Sequence, residues 1–289
     1  MQKTQHGICA LCKQERDLQL SHIVPNFVGR MLKKTSPGNI RNAAEPNKVA
    51  QDIEKRYLLC HECEELFSAK ETWFANHIFN SYIGKKETVF SYDENLTYFV
   101  ISLSWRSLYL DLEGFKKDSN IDPYILKTLI KSEKIMRDYL IGKSSSIDYI
   151  ENHIFFLDRI ESTSGVDMSK NPSVAMHRSI SSYTVYYPKT YFTISNLMGI
   201  LIVTFYSKDD NEHWENTEIN LGCGIIESKN QYVESVVSNE INFWMEQSEN
   251  AKENLSDRQQ AKIKERLQKL GEDFKKYPIY RDLRDDGTL

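Results

Sequence analysis

The stretches ICALC (residues 8–12) and LLCHEC (residues 58–63) decide how this sequence of 289 residues folds. Each contains two cysteines separated by two residues, a spacing that lets one tight turn present both thiols to the same metal ion. Two such pairs supply the four thiolates of a tetrahedral zinc site and leave no position open for water. The sequence therefore predicts a structural zinc ion held by Cys9, Cys12, Cys60 and Cys63.

The chain between the two cysteine pairs is longer than the connection in a compact zinc ribbon, so we expect it to fold. Its segment SHIVP, residues 21–25, ends a weakly alternating run and indicates a strand. Apolar residues at helical spacing predict a short helix that starts at Asn26, and residues 36–50 are expected to form a loop. After the second pair, the spacing of large apolar residues predicts a helix over residues 64–82.

The charge of the chain is unevenly distributed. The net charge is −4, which excludes a protein that binds nucleic acid through a uniformly basic surface. Residues 26–56 nevertheless carry seven basic side chains against three acidic ones, a local net charge of +4. Such a patch suits phosphate contacts. The predicted nucleic-acid-binding residues are Arg30, Lys33, Lys34, Arg41, Lys48, Lys55 and Arg56.

Cysteine usage and hydropathy indicate the compartment. Four of the five cysteines belong to the two pairs, a pattern typical of metal binding in a reducing environment, and Cys223 is expected to be a buried small side chain. The N-terminus lacks the apolar core of a signal peptide. The apolar run 197–206 has about half the length of a membrane span. We therefore expect a cytoplasmic protein with no membrane partner.

Beyond residue 86, where we place a domain boundary, the sequence carries no catalytic motif. Its patterns predict helices, then strands, then two closing helices and a loose tail. The expected helices cover residues 96–112, 232–247 and 256–276, with another starting at Asp122-Pro123; the expected strands cover residues 152–160, 182–187, 191–195, 198–206 and 218–226; the expected loose tail is 281–289.

The order of the two cysteine pairs, with SHIVP between them and a helix opening at LLCHEC, resembles the zinc-stapled HNH endonucleases over about residues 7–82. The resemblance implies a ββα-metal unit, in which a hairpin and a helix hold one catalytic divalent ion, Mg²⁺ or Mn²⁺. The fold class we expect is α+β. A zinc-bound, HNH-like domain at residues 1–86 would precede a larger helical and mixed-sheet domain at residues 87–289.

The resemblance also implies roles for individual residues. His22 matches the general base of the family, whereas Ser21 stands where the family often has an aspartate ligand. Glu64 follows the second cysteine pair, at the place of the family's metal-binding histidine. His61 and Glu65 are nearby alternatives to Glu64 as the metal ligand.

The central asparagine of the family has no counterpart. Lys55 holds its approximate place, and Asp52 is the nearest acidic residue. Phosphodiester hydrolysis needs a base that is neutral near pH 7 and hard oxygen ligands for a cation. The predicted catalytic set is therefore His22, Asp52 and Glu64.

Other interpretations of these residues stay open at this point. His22 could be a hydrogen-bond donor beside the zinc site, and Glu64 could simply place a favourable charge at a helix start. We expect Glu71 to lie on the solvent face of the same helix.

Three functions follow from these expectations. The first is an endonuclease that acts on DNA or RNA, with DNA expected first. The second is a zinc-stabilised nucleic-acid-binding module without catalysis. The third is a subunit of a defence complex, gated by a protein partner bound through residues 87–289. The joining of a nuclease module to a recognition module suggests, by analogy with bacterial defence and restriction proteins, a defence or restriction effector.

Overall fold

A small antiparallel sheet opens the fold, in a computed structural model that describes residues 5–157 and 172–287. The elements up to the second cysteine pair are β1 (Gln5–Ile8), β2 (Glu15–His22), α1 (Asn26–Lys34), β3 (Ile40–Asn42), β4 (Glu45–Ala50) and β5 (Lys55–Cys60). Strand β2 is central in the sheet and pairs with β1 on one side and with β5 on the other.

The register of β2 against β5 sets the geometry of this sheet. Leu18 pairs with Cys60 at one end, and His22 pairs with Lys55 at the other. The chain then runs without a loop from β5 into helix α2 (His61–Phe74). The predicted strand ends at His22, and the helix predicted from Asn26 is confirmed.

The loop predicted over residues 36–50 is wrong, because β3 and β4 form an antiparallel hairpin. The hairpin is exposed, and Pro46 is the one residue of its strands that is buried. A strand is recognised in a sequence by the alternation of buried and exposed side chains. This hairpin is held by backbone pairing, so that signal is missing.

The helix predicted over residues 64–82 is confirmed. Helix α2 continues through a π-helical turn, Ala75–Phe79, into α3 (Asn80–Ile83). Its face towards the core carries Phe67 and Phe74.

Helix α4 is the central element of the rest of the chain. It follows strand β6 (Val89–Tyr92), spans Glu94–Phe115 and is buried on most of its surface. Helix α5 (Pro123–Leu140) starts as predicted, because the Asp122 carboxylate accepts the backbone N–H of Tyr124 at 2.7 Å and proline occupies the first turn.

A four-stranded sheet packs against α4. Its strands β7 (Glu151–Phe156), β8 (Ile180–Tyr186), β9 (Tyr191–Leu197) and β10 (Ile200–Ser207) lie in the order β7-β10-β9-β8, with the short helix α6 (Ser173–His177) before β8. We expected a mixed sheet, but every strand pair in the described residues is antiparallel. Short connections impose this on two of the three pairs: Met198 and Gly199, both with positive φ, join β9 to β10 in a two-residue turn, and residues 187–190 join β8 to β9.

The C-terminal part differs from its prediction in three places. The strand predicted over 218–226 contracts to Gly224–Glu227, and the helix predicted from residue 232 begins at Ser238, after a short strand. The tail predicted to be loose contains a packed helix. The elements are β11 (His213–Glu215), β12 (Gly224–Glu227), β13 (Tyr232–Glu234), α7 (Ser238–Glu253), α8 (Asp257–Leu270), a 3₁₀ helix (Gly271–Lys276) and α9 (Pro278–Asp285).

The hydrophobic packing crosses the predicted boundary at residue 86. Phe67 of α2 meets Trp105 of α4 edge to face, with ring centroids 6.0 Å apart. Phe74 stacks on Phe99 at 4.0 Å. Burial of such aromatic surfaces supplies much of a core's stability. The division into residues 1–86 and 87–289 stays a prediction, and the two parts share their core.

A buried carboxylate fastens helix α9 to the rest of the protein. Asp282 is 0 % exposed and faces His177 Nδ1 at 3.2 Å and Arg178 Nε at 2.7 Å. Burial opposes ionisation of this carboxyl, but its two basic partners outweigh burial, and the pKa of Asp282 lies below its ordinary value. Arg178 also donates to Thr35 Oγ1 at 2.8 Å, at the end of α1.

We expect Asp282→Ala to lower the free energy of unfolding by about 3 kcal/mol, because it leaves a buried arginine without its counter-charge. The depressed pKa means that this stabilisation is present above the ordinary aspartate value of 3.8 and is lost as the pH falls below it. Urea unfolding at several pH values measures both effects. Asp285→Ala, on the exposed side of α9, is the control and should change stability by less than about 0.5 kcal/mol.

Candidate metal centre and active-site cavity

The β1–β2 turn and the β5–α2 junction bring the four predicted zinc ligands together. Cys9 and Cys12 lie in the turn, Cys60 ends β5, and Cys63 lies in the first turn of α2. Their sulfur atoms all lie within 4.8 Å of one another. A backbone hydrogen bond from Ala10 N–H to the Leu58 carbonyl, at 2.9 Å, links the two turns directly.

The cluster fits zinc in both geometry and chemistry. Zinc–sulfur bonds of about 2.3 Å in a tetrahedron place the sulfurs about 3.8 Å apart, and the Sγ atoms of Cys12 and Cys60 are 3.9 Å apart. In the described part of the chain, these four cysteines are the one group of three or more potential ligands that meets so closely. The protein therefore has a four-cysteine site that can hold a structural zinc ion.

The ionisation of the cluster also suits a cation. The hydrogen bond from the Cys63 thiol lowers the pKa of Cys9 to about 4, whereas burial raises the pKa of Cys60 to about 11. The lowered pKa favours the thiolate of Cys9, and a bound cation would favour ionisation of its neighbours.

A cavity of about 530 Å³ lies between the end of β2, helix α1 and helix α2. We call it the α1–α2 cavity. Both acidic and basic side chains line it. Its polar and charged lining includes His22, Arg30, Lys34, Glu64, Ser68 and Glu71.

His22 enters the cavity as a neutral imidazole. Burial, and then the positive charge of Lys55, lower the pKa of His22. Its Nε2 atom lies 3.5 Å from Asp52 Oδ2 and has no hydrogen-bond partner within the described residues. A neutral, oriented histidine can accept a proton near pH 7.

Asp52 lies beside His22 and lines a different cavity from the one lined by Glu64. Its carboxylate is 2.5 Å from Lys55 Nζ. Partial burial opposes ionisation, but the hydrogen bond from Lys55 lowers the pKa of Asp52 to about 2. The geometry therefore suits Asp52 for orienting His22. Its predicted part in metal binding stays a prediction.

Glu64 has an oxygen without a partner. Its Oε1 atom is buried and makes no hydrogen bond with the part of the chain that the structure describes. Burial raises the pKa of Glu64, and a hydrogen bond with Ser21 opposes that shift. An unpaired buried carboxylate oxygen is costly, so this position suits a cation or a donor supplied from the cavity.

Two residues of the site were missed in the sequence. Glu71 was expected on the solvent face, but it lines the cavity and forms an ion pair with Arg106, with Oε1 and Nη1 2.8 Å apart. Arg106 also donates to the His22 carbonyl at 2.9 Å. The spacing of Glu64 and Glu71, two helical turns, was the available signal for Glu71. No sequence pattern indicates Arg106.

The predicted nucleic-acid-binding residues divide into two groups. Arg30 and Lys34 are exposed and line the cavity. Each of the other five already interacts with another residue of the protein: Lys33 with the Gln51 carbonyl, Arg41 with the Pro46 carbonyl and Gln259, Lys48 with Glu45, Lys55 with Asp52, and Arg56 with Glu54. Binding by any of the seven stays a prediction, and the first two have the most suitable positions.

Three further expectations can be compared with the structure. His61 and Glu65, the alternatives to Glu64, are exposed and lie outside the lining of the α1–α2 cavity. Cys223 is exposed, so its predicted burial is wrong. It lies just before the short strand β12, where the predicted longer strand is absent.

Comparison with known proteins gives no relative for this arrangement: no protein-family model, curated protein or solved structure matches the chain. Of the helices in residues 5–157 and 172–287, none has both the length and the apolar character needed to cross a membrane.

We expect Cys63→Ser to remove the bound zinc, roughly one ion per chain, and to lower the free energy of unfolding by about 4 kcal/mol or more. The cause is the loss of one of the four sulfur ligands, without which the cluster no longer offers a tetrahedral zinc site. Metal analysis by mass spectrometry and urea unfolding measure the two effects. Cys223→Ser is the matched control and should retain both properties; equal zinc content in the two variants would contradict the assignment.

Proposed function

We propose that the protein is a metal-dependent phosphodiester hydrolase of the HNH type that acts on DNA, with RNA as the alternative substrate. The proposal rests chiefly on one observation: His22 and Glu64 face one cavity that Arg30 and Lys34 also line. A neutral base, a carboxylate with one oxygen unpartnered among the described residues, and two cations are groups that can serve the hydrolysis of an anionic diester.

In this proposal, His22 accepts a proton from a water molecule. The water oxygen forms a bond to phosphorus, and the bond from phosphorus to the leaving sugar oxygen breaks. The lowered pKa of His22 keeps the imidazole ready to accept that proton at neutral pH. The Asp52 carboxylate, 3.5 Å from Nε2, would favour one orientation of the ring through its negative charge and not through a hydrogen bond.

Glu64 would hold the Mg²⁺ or Mn²⁺ ion, whereas Asp52, the second ligand expected from the sequence, is paired with Lys55 and lines a different cavity. Carboxylate oxygens are the ligands that these hard cations prefer, and the unpartnered Oε1 of Glu64 fits one. When bound, such an ion neutralises charge that develops on the phosphate. Arg30 and Lys34 would bind the phosphates on either side of the reacting bond.

We expect His22→Ala to abolish nicking of supercoiled plasmid in Mg²⁺ or Mn²⁺, because it removes the proton acceptor. A loss of at least about 100-fold is expected for a general base. Zinc content should stay at the wild-type level, since His22 is not among the four ligands. Gel analysis of nicked and linear products, together with metal analysis, measures both.

His213→Ala is the matched control, because His213 is exposed, pairs with Glu215 and lies outside the cavity. It should cleave at the wild-type rate. Cleavage by His22→Ala at that same rate would show that His22 is not the base. No cleavage by the wild-type protein with either metal would favour the second function.

A nucleic-acid-binding module without catalysis is the second candidate. One observation favours it: Asp52 is paired with Lys55 and does not share the cavity with Glu64. The protein would then bind nucleic acid without cleaving it, through Arg30 and Lys34 at the α1–α2 cavity. A partner-gated subunit of a defence complex is a variant of this proposal, with residues 87–289 as the partner surface.

We expect the double variant Arg30→Ala/Lys34→Ala to weaken DNA binding and to reduce its dependence on salt. Each lost phosphate contact lowers the slope of log K against log salt by about 0.9 for duplex DNA. Fluorescence anisotropy with a labelled duplex in Ca²⁺, over a range of salt concentrations, measures the slope. Lys48→Ala/Arg56→Ala removes the same charge from local ion pairs and should change the slope much less; equal losses would mean that binding is not centred on the cavity.

A further inference from the structure

Arg106 is a buried cation in the middle of an otherwise largely apolar helix. Its side chain is 2 % exposed, and its guanidinium lies 5.2 Å from the centre of the Phe67 ring. Around it, α4 contributes core residues such as Leu103 and Leu108. Replacing a buried ion pair with apolar side chains is often neutral or stabilising, so stability alone does not explain an arginine here.

The contacts of Arg106 converge on the elements that carry the proposed base and the proposed ligand. Its Nη1 atom lies 2.9 Å from the His22 carbonyl, at the end of β2, and 2.8 Å from Glu71 Oε1, on α2. Its Nε atom donates to the Ser102 carbonyl on its own helix at 3.2 Å, which fixes the direction of the guanidinium. One buried nitrogen atom, Nη1, thus fixes the position of β2 relative to α2.

Glu71 would behave differently without this contact. Its side chain is 20 % exposed and lines the same cavity as Glu64, two turns earlier on α2. A free glutamate samples several rotamers and extends towards water. The ion pair selects one position for the carboxylate, which therefore faces the cavity with a fixed negative charge.

We infer that Arg106 is a positioning residue of the proposed active site: it fixes the Glu71 carboxylate and the backbone of His22 at the α1–α2 cavity. The inference rests on the proposed function. It also gives residues 87–289 a part in the chemistry, because Arg106 comes from α4 and lies outside the segment that resembles the HNH nucleases. Lysine keeps the charge but lacks the Nε–H that bonds the Ser102 carbonyl and fixes the direction of the guanidinium, so it cannot hold its nitrogen at the position of Nη1.

The first test is Arg106→Lys in the full-length protein, which keeps the charge. We expect its plasmid nicking rate to fall about 100-fold, the loss typical of a misplaced catalytic group, while zinc content and the affinity for a labelled duplex in Ca²⁺ stay within about twofold of wild type. Arg137→Lys is the control, because Arg137 lies near Glu133 in another half-buried pair, outside the cavity. Equal rates for Arg106→Lys and wild type would overturn the inference.

A second variant separates positioning from a purely structural role. Arg106→Met/Glu71→Met replaces the buried pair with apolar side chains, so we expect thermal stability close to that of wild type. Nicking should remain as low as in Arg106→Lys. Recovery of wild-type nicking by this double variant would show that the pair serves only the fold.

A spectroscopic measurement keeps the inference testable if the wild-type protein cleaves nothing. The ring resonances of His22, assigned by comparison with His22→Ala, should shift in Arg106→Lys at a fixed pH, while those of the exposed His213 should not. Unchanged His22 resonances would refute the positioning role. Shifted resonances without any cleavage would support the positioning role of Arg106 and refute the hydrolase proposal.

Discussion

The attachment of one turn to one helix start determines the rest of this structure. The turn with Cys9 and Cys12 meets the β5–α2 junction with Cys60 and Cys63, and strand β2 continues from the turn to His22. Because β2 is paired with β5, the direction of α2 and the position of His22 cannot vary independently. The four sulfurs lie at one end of this small sheet and the cavity at the other. A structural cation bound at the first end would hold the sheet and so help to fix the side chains at the second end.

The second constraint comes from helix α4. It supplies the aromatic partners of Phe67 and Phe74, and it supplies Arg106, whose guanidinium contacts both β2 and α2. A unit cut at residue 86 would lose this packing and would leave Glu71 without its counter-charge. The small sheet and α2 are thus better described as one wall of a shared core than as an independent module. A separate role for residues 87–289 in recognition is compatible with this arrangement.

The features that could be predicted from the sequence are those with a local signal. Two Cys-x-x-Cys pairs identified the four-cysteine cluster, and helical periodicity identified α1, α2 and α4. The β3–β4 hairpin left no such signal because its side chains are exposed. The prediction of a loose tail was wrong for another reason. In the sequence, Asp282 is indistinguishable from an exposed charged residue, and its burial depends on His177 and Arg178, about a hundred positions earlier.

The residues around the cavity could also be predicted only where they carry a local sequence signal. His22 and Glu64 lie inside motifs, but Arg106 is separated from His22 by 84 positions and carries no motif. The ion pair between Asp52 and Lys55 was likewise not predicted from residue spacing, although the two residues are three positions apart. Periodicity and spacing predict which face of an element a side chain occupies. The partner that the side chain meets there depends on tertiary packing.

The two ends of the segment between β2 and β5 are held together by strand pairing, and this has an evolutionary consequence. Residues 23–54 leave the sheet at His22 and return at Lys55, two positions that face each other across paired strands. Lengthening a loop whose ends are already held together costs little, about 0.6 kcal/mol for each doubling of its length. The exposed β3–β4 hairpin within this segment can therefore gain or lose residues while α1, Asp52, His22 and α2 stay where they are. The architecture separates this hairpin, whose length can change, from α1 and the residues around His22, which must be kept.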